Sequence, residues 1–290
     1  MKISVRKDLE GHNFLVKGLR LFTVPLMNHI PKSFLQKIMI KTSLDAGTVV
    51  KTGGSTMALE VMYTRYHRSL FSRGISQGLS DLFWHHFISQ PKALRNRLKI
   101  VEEVAESRIR SLVGDGGKNI KILNIGGGSS RALIHGIKKL KEEGLEFSPE
   151  IVNIDKDERA IEMGKNLSKN LGLLNIFTWI NGDAREMDSE IKPQSFDIVE
   201  MVGLMDYFKD ERAVKVLEIV YKNLKKGGLF IVANVGFNDE MKFVEKTGWP
   251  FMHYRTVKDI NDIIEKAGFE KETNFILEPL GVHIVAIVEK

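Results

Sequence analysis

The spacing of apolar residues divides this chain into two parts, which meet at a turn-rich segment over residues 113–119, Val-Gly-Asp-Gly-Gly-Lys-Asn. Before that segment, apolar residues recur mostly three or four positions apart, as over residues 81–89 and 92–112, and this predicts amphipathic helices. After it, short apolar runs alternate with helical patterns. The runs predict strands at 121–125, 151–154, 176–180, 196–201 and 229–235, and the helical patterns predict helices at 131–143, 158–171, 210–224 and 257–267.

Alternating strands and helices predict a parallel sheet with helices on both faces. The last two apolar runs, 275–277 and 283–288, are joined by a turn too short for a parallel crossover, so we expect them to pair antiparallel. The prediction is an α/β fold with a mostly parallel, seven-stranded sheet that ends in an antiparallel hairpin. Residues 113–290 form this domain, and residues 1–112 form a mostly helical, basic region that covers the substrate or serves oligomerisation.

A glycine-rich turn lies between the first predicted strand and the first predicted helix of the second part. It runs from Asn124 to Ser130, as Asn-Ile-Gly-Gly-Gly-Ser-Ser. Glycines let the backbone approach a ligand closely, and the unpaired N–H groups of a helix N-terminus attract anions. The turn is therefore a candidate binding site, with a purely structural tight turn as the alternative.

Carboxylates follow the next strands. Asp155 ends the second strand, where a carboxylate can accept both hydroxyls of a ribose, and Asp157 is either a substitute or the cap of the next helix. Asp183 follows the third strand in an Asn-Gly turn and is a candidate for ligand contact. The alternative is a turn with no role beyond structure. The loop 203–208 follows the fourth strand at the sheet edge where ligands bind, so Asp206 and Tyr207 are candidates for substrate contact.

The order of these four turns, followed by Lys-Lys-Gly-Gly at 225–228 and a terminal hairpin, resembles the class I S-adenosylmethionine-dependent methyltransferases over roughly residues 120–290. The resemblance implies a Rossmann-like fold, S-adenosylmethionine as cofactor and S-adenosylhomocysteine as product. Asn124 stands where that family commonly has an acid. The implied cofactor-binding residues are Asn124, Gly126, Gly127, Gly128, Ser130, Asp155, Asp183, Ala184 and Met201.

Flanking motifs give a finer resemblance. The segments 53–63 (Gly-Gly-Ser-Thr-Met-Ala-Leu-Glu-Val-Met-Tyr), 83–87 (Phe-Trp-His-His-Phe), 93–97 (Ala-Leu-Arg-Asn-Arg) and 248–255 (Gly-Trp-Pro-Phe-Met-His-Tyr-Arg) resemble a bacterial group related to the 3-hydroxypalmitate methyl ester synthases. This resemblance implies carboxyl O-methylation of a hydroxy fatty acid. An ionised carboxylate needs no strong base, so catalysis would consist of positioning it and excluding water.

The candidate acceptor residues combine arginines that can hold a carboxylate with aromatic side chains that can line an apolar pocket. The substrate-binding candidates are Tyr63, Arg97, Tyr207, Asn234, Trp249, Tyr254 and Arg255. Arg95 is a further candidate, and each arginine has a surface cation as its alternative. The catalytic candidates are Tyr207, Asp206 and His86, the last as a base if the acceptor is a hydroxyl or an amine.

Three other readings share parts of this pattern. A nicotinamide oxidoreductase would have Gly-x-Gly-x-x-Gly, whose last glycine is Arg131 here. An aminopropyltransferase shares the Ile-Gly-Gly-Gly turn, but places an acidic pair with a nearby proline after the fourth strand, where this chain has one acid and no proline. A module that binds the cofactor without turnover remains open.

Charge and composition limit the kinds of partner that we expect this chain to bind. The net charge is +6, yet residues 1–110 carry 18 Lys and Arg against 8 Asp and Glu. That excess favours an anionic acceptor, with nucleic acid and a solvated helix face as alternatives. The segment 14–41 is apolar with interspersed lysines, and it can lie on a membrane, gate a pocket or pack in a homodimer. The chain has no cysteine, no His-x-x-x-His pair near the site and no recognisable signal peptide. We therefore expect no metal and a cytoplasmic location.

Overall fold

A computed structural model describes residues 1–67, 74–183 and 195–290. Within them the chain forms one eight-stranded sheet with helices on both faces. The helices are α1 Phe14–His29, α2 Lys32–Thr42, α3 Leu44–Thr52, α4 Thr56–Thr64, α5 Ile75–Leu82, α6 Ser89–Gly114, α7 Arg131–Glu142, α8 Glu158–Asn170, α9 Asp210–Asn223, α10 Met241–Lys246 and α11 Val257–Lys266. The strands are β1 Lys2–Val5, β2 Asn119–Ile125, β3 Ser148–Asp155, β4 Phe177–Asn181, β5 Phe196–Val202, β6 Leu224–Val235, β7 Asn274–Leu277 and β8 His283–Glu289.

The strand order is β1-β7-β8-β6-β5-β2-β3-β4. Strands β2 to β6 run parallel, and β8 is antiparallel to both β6 and β7. The predicted α/β fold and its terminal hairpin are therefore confirmed. The chain order reverses between β2 and β5, which opens a crevice at the carboxyl ends of these strands.

The prediction of seven strands was wrong by one, because β1 pairs with β7 in parallel, from Lys2↔Asn274 to Val5↔Leu277. All four residues of β1 are exposed. Its sequence, Lys-Ile-Ser-Val, alternates polar and apolar residues over four positions, the shortest run that indicates a strand, and the prediction did not include it. The first residues of the chain thus belong to the sheet.

Two apolar layers enclose the sheet. One lies under α6 and α7, whose side chains pack on the β2, β3, β5 and β6 face that carries Ile122, Ile198 and Ile231. The other lies under α9 and α11, against the opposite face that carries Leu123 and Val199. This alternation follows from the period of two in a strand. Both faces of the central strands are buried, as their near-continuous apolar runs predict.

A third apolar cluster joins the N-terminal helices to the second half of the chain. Met27 of α1, Leu35 of α2 and Val49 of α3 pack in the same cluster as Phe243 of α10 and Met252. The N-terminal helices therefore cover the carboxyl edge of the sheet on the side of α10. Helix α6 extends to Gly114, across the expected boundary after residue 112, and that boundary stays a prediction.

Two local expectations were wrong. The residues at 48–56, with Gly-Gly-Ser among them, are typical of a loop, but α3 continues to Thr52 and α4 begins at Thr56, and Ser43 caps the start of α3 by accepting the Ala46 N–H. Lys-Lys-Gly-Gly at 225–228 is typical of a cap that ends the helix predicted at 210–224, yet α9 ends at Asn223 and these residues belong to β6. A register shift between β5 and β6 accommodates the extra residues. Among the described residues, no helix is both long and apolar enough to cross a membrane.

Candidate active site

One cavity of about 810 Å³ opens at the carboxyl ends of β2, β3 and β5. Its floor is the glycine-rich turn after β2, and its opposite wall consists of the α3–α4 connection, α6 and residues 249–252. A crevice at this switch point is where α/β sheets bind ligands. The cavity has two ends of different construction, the glycine end at residues 124–131 and 154–157 and the acceptor end at Tyr63, Arg97, Tyr207 and Trp249.

Glycine is required by the geometry of the turn at the glycine end. A Cβ atom on Gly127 would lie 2.3 Å from Asn153 Oδ1 and 2.4 Å from Asn124 Cγ. Gly128 has a φ of +54°, and its Cβ would lie 2.8 Å from Thr56 Oγ1. Glycine is thus required because the turn packs directly against Asn124, Asn153 and Thr56, and the turn itself lines the cavity where α7 begins.

Asp155 lies at the edge of the turn. Its Oδ2 accepts the Gly128 N–H at 2.8 Å, and its Oδ1 accepts the Asp157 N–H at 2.8 Å. Burial raises the pKa of Asp155. Each carboxylate oxygen retains a lone pair, so both can still accept ribose hydroxyls. Asp157 caps α8 by accepting the Arg159 N–H at 3.0 Å, which agrees with its capping alternative.

Some of the remaining candidates for cofactor binding line the cavity, and Met201 does not. Asn124 and Ser130 line the cavity, where Asn124 Nδ2 donates to Ser130 Oγ at 3.0 Å. Asp183 also lines it. Met201 instead lies in the apolar layer under α9 and α11. Ala184 lies outside the described residues. The glycines, the amide and the carboxylates thus fit the nucleoside and amino-acid parts of S-adenosylmethionine.

A buried cation marks the acceptor end. Arg97 is 4% exposed, and no carboxylate lies within ion-pair distance of it among the described residues, although the buried Asp206 carboxyl is an electrostatic neighbour. Its Nη2 donates to the Tyr63 hydroxyl at 3.2 Å, and its Nε has no hydrogen-bond partner in the described structure. A buried guanidinium with an unpaired donor is costly unless an anionic ligand completes it. The cavity therefore suits an anionic acceptor.

Two catalytic candidates border this cation. Burial raises the pKa of Asp206, which is only 3% exposed, and its Oδ1 accepts the Val235 N–H at 2.7 Å. The Tyr207 hydroxyl accepts from Trp249 Nε1 at 3.1 Å, and burial raises the pKa of Tyr207 to about 12. Both side chains are held in place as parts of the wall.

Four other candidates lie away from the cavity. Arg255 donates to Asn234 Oδ1, the Met205 and Phe208 carbonyls and Asp210, while the Asn234 amide donates to the Val235 and His253 carbonyls. This network joins the loop after β5 to the end of β6, which favours a structural role. His86 points to the Tyr66 carbonyl, and Tyr254 packs near Phe237. No described contact brings these four side chains into the cavity.

Comparison with known families agrees with this geometry. The methyltransferase family model Methyltransf_20, described as "Putative methyltransferase", matches residues 70–290. The chain belongs to this methyltransferase family. It is also 25% identical over 180 residues to O-methyltransferase 3 of Dictyostelium discoideum, which covers 56% of this chain. The match spans 39% of the length of that relative.

Solved structures share the fold of this methyltransferase. A protein of Bordetella parapertussis, described as a possible exported protein, superposes with a TM-score of 0.62 at 14% identity, covering 90% of this chain and 97% of its own. Magnesium protoporphyrin IX methyltransferase of Synechocystis PCC 6803, solved with bound S-adenosylhomocysteine, gives a TM-score of 0.50 at 14% identity, covering 68% and 86%. The chain is thus a member of a methyltransferase family and shares the fold of these solved structures.

The lining residues of this methyltransferase that were not among the sequence candidates include Glu200, His283 and Arg212. Glu200 of β5 and His283 of β8 are each 2% exposed, and Arg212 lies over the Phe208 ring. A carboxylate inside the apolar run of β5 is unusual for a central strand and could have identified Glu200. His283 carries no such signal, because its strand lies far from the cofactor turns in the sequence.

The described residues contain no group of three or more His, Asp or Glu side chains that could hold a metal ion.

Burial, together with the nearby Arg97 charge, lowers the pKa of His283 well below its usual value. His283 is therefore neutral near neutral pH. Both of its ring nitrogens lack hydrogen-bond partners in the described structure.

Proposed function

We propose that this methyltransferase methylates an oxygen of a small anionic acceptor with an apolar body, and that the acceptor group is a carboxylate. A hydroxy fatty acid is the specific candidate. The observation that carries the proposal is the buried guanidinium of Arg97, which lines the cavity without a carboxylate partner in the described structure. The name of the Dictyostelium relative, O-methyltransferase 3, supports an oxygen as acceptor atom.

When bound, S-adenosylmethionine supplies an electrophilic methyl group on its sulfonium. The residues of this chain hold and shield the acceptor. Arg97 can hold a carboxylate oxygen through its guanidinium, while Tyr63 fixes Nη2. An acceptor carboxylate is ionised near neutral pH, so no base is required. Positioning and exclusion of water then account for catalysis.

The walls of the acceptor end suit an apolar chain. Leu59, Leu94, Leu98 and Met252 line the cavity with Trp249 and Pro250. The α3–α4 connection packs closely on this side, since a Cβ on Gly54 would lie 2.5 Å from Pro250 Cγ. Removing such apolar area from water is worth roughly 25 cal/mol per Å². An alkyl chain beside a carboxylate would use both features.

A hydroxyl acceptor is the second candidate, because neutral His283 lies in the cavity wall with two free ring nitrogens. A hydroxyl must lose a proton as it is methylated, and an imidazole can take it. Nucleic acid is a third candidate acceptor, because the N-terminal region is basic. We also propose that the protein acts in the cytoplasm.

The test uses methyl-labelled S-adenosylmethionine with three matched acceptors: a long-chain fatty acid, its 3-hydroxy derivative and the corresponding diol without a carboxyl group. We expect label from the hydroxy acid in the organic extract, lost on mild alkaline hydrolysis as an ester would be. Label that survives alkali, or label on the diol, would assign the hydroxyl and overturn the carboxylate. Label appearing instead in the acid-precipitable fraction of a lysate would point to nucleic acid or protein.

A further inference from the structure

A row of three buried polar side chains crosses the sheet beneath the glycine turn. Asn153 of β3, Asn124 of β2 and Glu200 of β5 are paired in register, with exposures of 0%, 3% and 2%. Residues paired in register on neighbouring strands point to the same face of the sheet. Asn124 also donates to Ser130, the residue that immediately precedes α7. The row therefore places the carboxyl group of Glu200 close to the N-terminus of α7.

Glu200 is incompletely satisfied. It lines the cavity, and its Oε1 is buried without a hydrogen-bond partner among the described residues. Burial raises the pKa of Glu200 to about 8. The group is thus mostly protonated near neutral pH in the free protein. A buried carboxyl group without a partner calls for a donor or a cation from a ligand.

We infer that Glu200 binds the α-ammonium group of the cofactor's methionine part. The inference rests on the proposed function, since it requires S-adenosylmethionine in this cavity. The N–H groups at the glycine turn and at the start of α7 favour the α-carboxylate. The ammonium is attached to the carbon next to that carboxylate, so its counter-charge must lie within the same few ångströms, where Asn124 offers only an amide.

Binding then moves one proton. The approaching ammonium stabilises the ionised form of Glu200, so the carboxyl O–H bond breaks and the proton passes to the buffer. The ammonium keeps its own protons and donates one of them to the carboxylate in a hydrogen bond. Near neutral pH, this predicts the net release of nearly one proton for each ligand bound.

The experiment compares two ligands by calorimetry. S-adenosylhomocysteine carries the ammonium, and 5′-methylthioadenosine lacks the whole amino-acid part. We expect Glu200→Gln to weaken S-adenosylhomocysteine roughly tenfold or more while leaving methylthioadenosine within about twofold. Proton release, measured in buffers of different ionisation enthalpy, should accompany only the first ligand and vanish in the variant.

The matched control is Glu106→Gln, which changes another buried carboxyl group that is outside the cavity lining and pairs with Lys139. It should leave both affinities unchanged. Equal weakening of both ligands by Glu200→Gln, or unchanged affinity for both, would overturn the inference. A wild-type protein that binds neither ligand would overturn the proposed function itself, and the two failures are therefore distinguishable.

A second inference comes from α1. Its inner face is anchored, because Arg20 donates to Glu240 and Asp239 and Val24 is buried. Its outer face is mostly apolar. The exposed residues there are Phe14 (87%), Leu15 (74%), Leu19 (58%), Leu21 (75%), Phe22 (78%) and Leu26 (69%). An apolar face of this kind on an anchored helix marks an interaction surface.

Within residues 11–44, which include this face, the exposed charge is of one sign. No Asp or Glu occurs between residues 11 and 44, whereas Lys17, Lys32, Lys37 and Lys41 are exposed. An isologous dimer through this face would bring the lysines of two copies together. We propose instead that α1 docks on the surface of an anionic phospholipid bilayer, where apolar side chains enter the interface and lysines meet headgroup phosphates.

Sedimentation with vesicles tests this second proposal. The full chain should bind vesicles of equal parts phosphatidylcholine and phosphatidylglycerol, and bind pure phosphatidylcholine vesicles weakly. Phe22→Glu with Leu26→Glu should reduce binding roughly tenfold, while Phe237→Glu, at an exposed apolar residue outside α1, should not. Equal binding to both vesicles would overturn the proposal. So would a solution dimer that the double variant dissociates.

Discussion

The two ends of the cavity are built in different ways. The glycine end is mostly backbone, since it consists of the turn after β2, the end of β3 and the start of α7. The acceptor end is made of side chains from α4, α6, the loop after β5 and residues 249–252, which are far apart in the sequence. Backbone geometry is specified by short local patterns, whereas a wall of distant side chains depends on the whole fold.

This difference explains why the sequence identifies the methyltransferase family but leaves the acceptor as a proposal. A turn that requires glycine can be identified from a few neighbouring residues. The wall opposite it can be replaced side chain by side chain without changing the fold. Variants at the glycine end should therefore weaken cofactor binding, and variants at the acceptor end should spare it.

The largest effect is expected from Gly127→Ala. The new Cβ would lie 2.3 Å from Asn153 Oδ1, so the turn must shift. Overpacking of this kind costs about 1–3 kcal/mol, and the displaced backbone should also weaken S-adenosylhomocysteine by roughly a hundredfold in a calorimetric titration. Gly114→Ala is the control, because no atom lies within 4 Å of that Cβ. Normal affinity in Gly127→Ala would mean that the turn does not bind the cofactor.

The next effect separates the two ends. Arg97→Gln should lower kcat/KM for the acceptor by roughly ten- to a hundredfold, because one charge-assisted hydrogen bond contributes about 1.5–3 kcal/mol. Affinity for S-adenosylhomocysteine should stay within about twofold. Arg97→Lys should restore part of the activity, since it keeps the charge but loses the planar fork. A matching loss of cofactor affinity in Arg97→Gln would assign the guanidinium to the cofactor instead.

A smaller effect distinguishes the two carboxylates after β3. Asp155→Asn should weaken S-adenosylhomocysteine by roughly tenfold, because the amide replaces one acceptor oxygen at the cavity edge. Asp157→Asn should leave affinity unchanged, since Asp157 caps α8 and asparagine caps nearly as well. Titrating both variants side by side provides the check. The reverse order of affinities would exchange the roles of these residues.

The last expected effect concerns stability and pH rather than ligand affinity. Burial raises the pKa of Glu200 from 4.5 to about 8, so between these values the folded state holds a proton that the unfolded state has lost. Stability from this group is therefore lost as pH rises, by up to about 1.4 kcal/mol per pH unit. Urea unfolding at about pH 6 and about pH 8 should show a steeper loss in wild type than in Glu200→Gln. Parallel losses would show that Glu200 ionises normally.

Sequence patterns predicted the local elements well and the long-range ones poorly. The strand 121–125, the glycine turn and the helix 131–143 follow from a continuous stretch of apolar spacing and small residues. Strand β1 was missed because its alternation covers only four residues. His283 was missed because only the antiparallel pairing of β8 with β6 brings it to the cavity wall. Asn234 and Arg255 were predicted to bind the acceptor. Their side chains instead take part in a hydrogen-bond network between residues distant in the sequence, and no local pattern reveals such a network.

The most direct test of the two-ended site is a crystal structure of the chain with S-adenosylhomocysteine. We expect the ligand at the glycine end, with its ribose hydroxyls within hydrogen-bond distance of Asp155 and the space between Tyr63, Arg97 and Trp249 still open for an acceptor. A nucleoside bound at Arg97, or outside this cavity, would contradict the account.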